Sequence, residues 1–143
     1  MLDRYEEFFG HRLEKFIREA VPRVVGGLTE SERAVVCNAS GPFPRGLVQS
    51  IHNGAKSPSD QVLEILVVIG SWINASSGSV WAIGPIEDGF YSERVGIGIA
   101  GSDGKSFTPL LALVEQMVTE DTARSETLDM IESLAEFNKR QIQ

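Results

Sequence analysis

The apolar residues near the start of the chain recur at spacings of three and four, the period of one helix face. This stripe consists of Leu2, Tyr5, Phe9, Leu13, Phe16 and Ala20, widened by Phe8 and Ile17. Pro22 predicts the end of the helix, and Gly26-Gly27 predicts a non-helical connection after it. The aromatic side chains form a large apolar surface, which indicates docking onto the core or, alternatively, an interface with a second copy or a partner.

Two short helices are predicted next. Thr29 followed by Glu32 is a capping box, which favours a helix over residues 30–39. Val35-Val36 is β-branched, so a strand is the alternative for this segment. After the turn GPFP, residues 45–54 have the pattern of a further short helix that is ended by a glycine.

A longer helix is predicted from Pro58, which fits the first helical position. Ser57 fits the N-cap, and Asp60 lies in the first turn, where a negative charge is favourable. Ile65 to Ile69 are apolar on every side, which predicts a central, buried helix. A buried strand over Leu63–Ile69 is the alternative, because a short continuous apolar run fits both structures.

The hydrophobic period changes to two after Ser79, as in half-buried strands. SVWAIG, residues 79–84, predicts one strand, and GFYSERVGIGIAG, residues 89–101, predicts the next. PIEDG between them predicts a tight connection. The sequence thus predicts a small antiparallel sheet with a hairpin centred on residues 79–101.

Two helices are predicted after the sheet. Thr108-Pro109 repeats the cap-and-proline signature and starts a helix that ends at about Val118. A last amphipathic helix begins at about Ser125 and carries an apolar stripe. The stripe consists of Leu128, Ile131, Leu134 and Phe137. The whole is predicted as an α+β fold, with five or six helices packed around the small antiparallel sheet in a single domain, residues 1–143.

The second strand and the residues after it match parts of two nucleotide-binding motifs in sequence. Gly96, Gly98 and Gly101 fit the GxGxxG fingerprint, and Gly104-Lys105-Ser106 matches the end of a phosphate-binding loop. However, the glycines alternate with aliphatic residues as in a strand interior, and Ile99 stands where that loop needs its first glycine. We therefore interpret the glycines as a bare strand face against which another group packs closely.

This bare strand face is the first candidate site. It belongs to the same hairpin as several aromatic residues, and such a combination is typical of ligand pockets and of interfaces. The candidate residues are Trp81, Phe90, Tyr91, Gly96 and Gly98. A structural role in the core is the favoured interpretation of these residues. A small-molecule or nucleotide-binding domain that uses residues 95–101 is accordingly the second hypothesis for function.

Groups for acid–base or nucleophilic chemistry are scarce. His11 and His52 are the only histidines and neither belongs to a ligand-spaced cluster, so no metal site and no cofactor are predicted. Cys37, His52 and Asp60 could form a nucleophilic triad, but the presence of these residues is almost non-specific as a sequence signal. A buried, structural Cys37 is the favoured interpretation. These features favour a protein without enzymatic activity.

The location of the protein is predicted from its length and its apolar runs. The chain has 143 residues, enough for one domain with its own core. Charged residues throughout its first segment do not fit a secretion or targeting signal. The most apolar run, Val62 to Ile73, contains Glu64 and is too short to span a bilayer. We therefore expect a cytoplasmic protein that does not associate with membranes.

The net charge of −7 is concentrated in the C-terminal part, where seven acidic residues stand against three basic ones from Leu110 onward. The acids outside the apolar stripe of the last helix are Glu126, Asp129, Glu132 and Glu136. Such a surface would suit a partner with a basic surface, whereas a merely solubilising role is the favoured interpretation.

The leading hypothesis for function is a small acidic module without enzymatic activity, which binds another protein as an adaptor, inhibitor or neutralising partner. A homodimer through the N-terminal helix is a further expectation. The remote alternative is a helix-turn-helix DNA binder over residues 28–54, with Arg45 and His52 as readers. The residues available for a basic face are Arg12, Lys15, Arg18, Arg23 and Arg45. Because basic residues are not concentrated in the sequence, nucleic acid is an unfavoured partner.

Overall fold

A computed structural model describes residues 10–39, 41–85, 95–101, 107–119 and 129–133. Within these residues, six helical segments accompany a three-stranded antiparallel sheet. The predicted α+β fold class is therefore confirmed. None of the helices in these ranges has the length and the apolar character needed to cross a membrane.

The N-terminal helix covers residues 10–26 and has three parts: α1 (10–15), a π-helical turn Phe16–Ala20 and α2 (Val21–Gly26). The prediction that Pro22 ends this helix is wrong. The N–H of Val21 bonds to the carbonyl oxygen of Phe16, five residues earlier, so the α-helical hydrogen-bond ladder is already interrupted before the proline. Pro22 then lies in the first turn of α2, where its missing N–H is not needed.

Two short helices follow, α3 (Glu30–Asn38) and α4 (Arg45–His52). The capping box is confirmed, because the Thr29 hydroxyl accepts a hydrogen bond from the Glu32 N–H and the Thr29 N–H donates to the Glu32 carboxylate at 2.8 Å. The strand alternative for Val35-Val36 is wrong, since the capped N-terminus outweighs the β-branched preference.

Helix α5 (Pro58–Ser77) contacts α2, α3, α4, α6 and both long strands, and therefore forms the centre of the core. Ser57 caps its first turn as predicted, and Gly78 ends it in the left-handed conformation with a φ of 72°. The residues from Ile65 to Ile69 are all buried. The strand alternative for this run is wrong, because the two caps define a helix of 20 residues, much longer than the run itself.

The sheet has the order β1 (Val80–Pro85), β2 (Val95–Ala100) and β3 (Phe107–Thr108), with antiparallel neighbours. Gly84 lies opposite Gly96, so the β1–β2 pair is centred as predicted. A tight connection at residues 85–89, as predicted, would pair Gly84 with Phe90. The register that this connection implies is wrong, because Gly84 pairs with Gly96.

The observed register sorts the side chains of the hairpin by size. The large pairs are Trp81–Ile99 and Ile83–Ile97, and the small pairs are Ala82–Gly98 and Gly84–Gly96. Large and small pairs alternate along the strands, so one face of the hairpin is large and the other, the glycine face, is nearly bare. A pairing of Gly84 with Phe90 would place a large side chain opposite a glycine. The matching of side-chain sizes across the two strands therefore determines the register, in preference to the shortest connection.

The helices predicted after the sheet are found within the described residues. α6 (Leu110–Thr119) starts directly after Pro109 and packs against α5 and β2. Residues 129–133 are helical, and Ile131 is buried in the core. The other residues of the predicted stripe, Leu128, Leu134 and Phe137, lie outside the described residues.

The first prediction concerns the glycine face. Gly98→Ala should lower the free energy of unfolding by about 1–3 kcal/mol, because the added methyl group overpacks a filled contact. Gly46→Ala is the matched control, since a Cβ there meets nothing within 4 Å, and it should raise stability by about 0.4–1 kcal/mol. Urea denaturation measures both changes. A Gly98→Ala variant as stable as the parent would contradict the close packing.

Candidate functional site

The glycine face of the hairpin is covered by the chain itself. A Cβ atom at Gly98 would overlap the carbonyl oxygen of Thr108 and lie 2.9 Å from Cζ of Phe107. At Gly84, a Cβ atom would lie 2.8 Å from Cδ1 and Cε1 of the same phenyl ring. The close approach predicted for this face is therefore present, and β3 supplies it.

Trp81 lies on the opposite, large face of the hairpin. Its indole packs so closely against α5 that a Cβ atom at Gly70 would overlap the ring. Phe16 meets the indole edge-on, with ring centroids 4.9 Å apart. The predicted pocket that combines this tryptophan with Gly98 is not formed, because neighbouring residues of a strand point to opposite faces. The remaining aromatic candidates, Phe90 and Tyr91, lie outside the described residues.

The glycine-rich strand also lacks the geometry of a dinucleotide fingerprint. Residues 95–100 form a strand interior, whereas the fingerprint requires the turn that joins a strand to a helix. β3 then intervenes before α6 begins at Leu110. The interpretation of these glycines as part of a strand is confirmed, and Gly104-Lys105-Ser106 lies outside the described residues.

Two of the four acids predicted to face a partner are bound within the chain. Nη1 of Arg45 lies 2.6 Å from a carboxylate oxygen of Asp129 and 2.8 Å from one of Glu132. Both acids therefore already have a partner within the chain, although the single positive charge of Arg45 offsets only one of their two negative charges. Glu126 and Glu136 lie outside the described residues.

The same contact affects the charge of Arg45. The hydrogen bond to Asp129, followed by that to Glu132, raises the pKa of Arg45 above its ordinary value. Because the folded-state pKa is raised from a value already far above neutral, the cation contributes its full stabilisation below that range and loses it only in strong alkali. The tie between α4 and residues 129–133 is thus insensitive to deprotonation of the arginine near neutral pH.

This tie also weakens the helix-turn-helix hypothesis. α3 and α4 are two successive helices, as that hypothesis requires. However, Arg45 at the start of the second helix is engaged by two carboxylates, and a reader of base edges needs free donors. Arg18, another residue of the hypothetical basic face, is paired with Glu14 on the exposed side of the N-terminal helix.

The conceivable triad is not assembled around His52. Gln61 donates from Nε2 to two backbone carbonyls, of Gly54 and Lys56, so its Oε1 is left to accept a hydrogen bond from His52 Nδ1 at 3.2 Å. The position where a triad places a carboxylate is thus held by an uncharged amide. Cys37 is exposed, which contradicts the expectation that it is buried. Its position on the outer side of the short helix α3 accounts for this exposure.

A groove of about 490 Å³ runs along the N-terminal helix. We call it the basic groove, and it is lined by Arg12, Lys15, Phe16, Glu19, Ala20 and Arg23. These residues are three or four positions apart, which places them on one helix face across the π-helical turn. Among the described residues that line the groove, three are cations and one is an anion, and a phenyl ring and a methyl group form the floor.

Helical spacing is the sequence signal for the basic groove. The charges of residues 1–54 balance, seven acids against seven bases, so a composition count hides the groove. The structure brings together Arg12, Lys15 and Arg23 from the set considered for a DNA-binding face, and it engages Arg18 and Arg45 in ion pairs elsewhere.

A second cavity of about 350 Å³ adjoins the basic groove and shares Arg23 with it. It lies between the end of α2 and the first turns of α5, where Lys56 pairs with Glu64. Two bases and two acids line this cavity, so its charges balance. Of these two cavities, only the basic groove has an excess of positive charge among the described residues that line it.

No family model, curated protein or solved structure matches this chain. Within the ranges that the structure describes, no group of three or more His, Cys, Asp or Glu side chains is placed to hold a metal ion. The candidate site is thus defined by the geometry of the groove and by the charges that line it.

The second prediction concerns the tie between α4 and residues 129–133. Arg45→Ala should lower the free energy of unfolding by about 1 kcal/mol, because the two ion pairs are partly exposed to solvent. Arg33→Ala on the exposed side of α3 is the control and should change it by less than about 0.5 kcal/mol. Chemical denaturation measures both. If Arg45→Ala costs as much in an Asp129→Asn, Glu132→Gln background as in the parent, the coupling is absent.

Proposed function

We propose that this chain is a small module without enzymatic activity that binds another protein, and that the basic groove is its binding surface. The observation that carries the proposal is the arrangement of cations around an apolar floor on one helix face. Charged rims around apolar centres are typical of protein interfaces. The scarcity of groups for acid–base or nucleophilic chemistry supports the same proposal.

The cations of the groove are better placed for a partner than the acids of residues 129–133. Lys15 is exposed on the N-terminal helix, and Arg23 is exposed on the same face. Neither forms an ion pair with another residue in the described part of the chain. Asp129 and Glu132 are instead held by Arg45, so a basic partner would have to compete with an internal contact. This difference favours the groove over the acidic surface.

The fold also favours the N-terminal helix as a recognition element. Phe16 is anchored against Trp81, and Val24 is buried in the core, so one side of the helix is held to the domain. Lys15 and Glu19 in the same helix are exposed, so another side of the helix faces solvent. A helix held firmly on one side presents its other side to a partner at little cost in conformational entropy.

Small-molecule binding at the hairpin is the second hypothesis, and the packing of the glycine face disfavours it. Phe107 and the carbonyl oxygen of Thr108 occupy the space that a ligand of that face would need. The protein-binding proposal requires no such displacement. We therefore retain protein binding as the proposed function.

The third prediction tests this proposal by capture of partners from an extract of the native host. Arg23→Glu should abolish the recovery of a specifically retained protein, because it replaces a cation of the groove by an anion. Arg33→Glu makes the same change of charge on the exposed side of α3 and should leave recovery unchanged. Quantitative mass spectrometry of the bound fractions measures both, and equal melting temperatures exclude unfolding as the cause.

Two results of this capture experiment would contradict the proposal. Equal losses with Arg23→Glu and Arg33→Glu would indicate an effect of net charge and would move the binding surface away from the groove. Recovery of no specifically retained protein by the parent chain would contradict protein binding itself.

A further inference from the structure

We propose that the basic groove binds a helical segment whose ends are acidic and whose centre is apolar and free of acidic residues. This inference rests on the proposed function and specifies its partner. It follows from the order of charges along the groove: positive at Lys15, apolar at Phe16 and Ala20 beside the negative Glu19, and positive again at Arg23.

The dimensions of the groove match about two turns of a partner helix. Lys15 and Arg23 are eight positions apart in the sequence, which corresponds to about 12 Å along a helix axis at 1.5 Å per residue. A partner helix that lies along the groove can therefore place carboxylates against both cationic ends, with two turns between them.

Glu19 determines what the centre of the partner segment contains. It lies midway between Lys15 and Arg23 and forms no ion pair with another described residue. An acidic residue at the centre of the partner would be repelled by it, whereas an apolar or basic residue would not. The centre must also lie beside Ala20 and the small exposed part of Phe16, which favours an aliphatic side chain.

The same charge order disfavours two other occupants of the groove. In a symmetric dimer formed through this face, the two grooves would meet and bring cations near cations. A nucleic acid carries negative charge along its whole length, and it would meet Glu19 in the groove and a chain whose net charge is −7. A segment with separated acidic ends avoids both conflicts.

The fourth prediction is tested with the full chain and two synthetic helical peptides of about four turns and identical composition. The first carries glutamates at both ends and leucines with one lysine at its centre, and the second has the glutamates at the centre and the lysine at one end. Fluorescence anisotropy at low salt should show that the first peptide binds more tightly. Higher ionic strength should weaken this binding, because the contacting charges are exposed.

Three variants make the test specific to the groove. Arg23→Glu should weaken binding of the first peptide by about tenfold, whereas Arg33→Glu should leave its affinity within about twofold. Glu19→Lys should remove the preference for the first peptide over the second. This last result separates recognition of the charge order from general attraction between opposite charges, which would survive the substitution.

Four outcomes would overturn the inference. These are equal affinity for both peptides, no difference between Arg23→Glu and Arg33→Glu, tighter binding of a single-stranded oligonucleotide than of either peptide, and self-association of the chain that Arg23→Glu abolishes. If neither peptide binds while capture of a host protein still depends on Arg23, the acidic helix is the wrong partner and the proposed function stands.

Discussion

The contact of Trp81 with α5 and the N-terminal helix is the interaction on which the rest of the structure depends. The indole lies against the bare backbone of Gly70 and also makes an edge-to-face contact with the ring of Phe16. It therefore joins the sheet, the central helix and the helix that carries the basic groove in one contact. A side chain larger than hydrogen at Gly70 would push the indole away, and the N-terminal helix would lose its aromatic anchor with it.

The position of Trp81 follows from the division of the hairpin into two faces of unequal size. Large side chains point to α5, and the glycine face allows the chain from β3 into α6 to cross the strands at backbone distance. These glycines match a nucleotide-binding fingerprint in sequence, but in this fold they allow backbone and side chains to pack closely against the strands. Trp81 and Gly98 belong to one hairpin and still lie on opposite faces of it, because strand alternation separates them.

Local signals in the sequence predicted most of the helices and strands, and long-range contacts account for the errors. The capping box at Thr29 and the N-cap at Ser57 need only neighbouring residues, so both could be read from the sequence. The pairing of Arg45 with Asp129 joins residues far apart in the chain, and no local pattern encodes it. Pro22 is an intermediate case. A proline normally ends a helix, and here the preceding π-helical turn removes the conflict between the proline and the helical hydrogen bonds.

The candidate site was the least predictable part because it depends on which charges are left unpaired. The sequence places the acidic excess in the C-terminal part, and an unpaired acidic surface there would recruit a basic partner. The fold instead ties two of those acids to a cation of α4 and leaves Lys15 and Arg23 exposed in a groove. The local sign of a surface is therefore set by the tertiary pairing of its charges, and a chain of net charge −7 can present a positive site. Because screened charges act over about 8–10 Å, the charges that lie closest to a bound partner determine the sign that it experiences, more than the net charge of the chain.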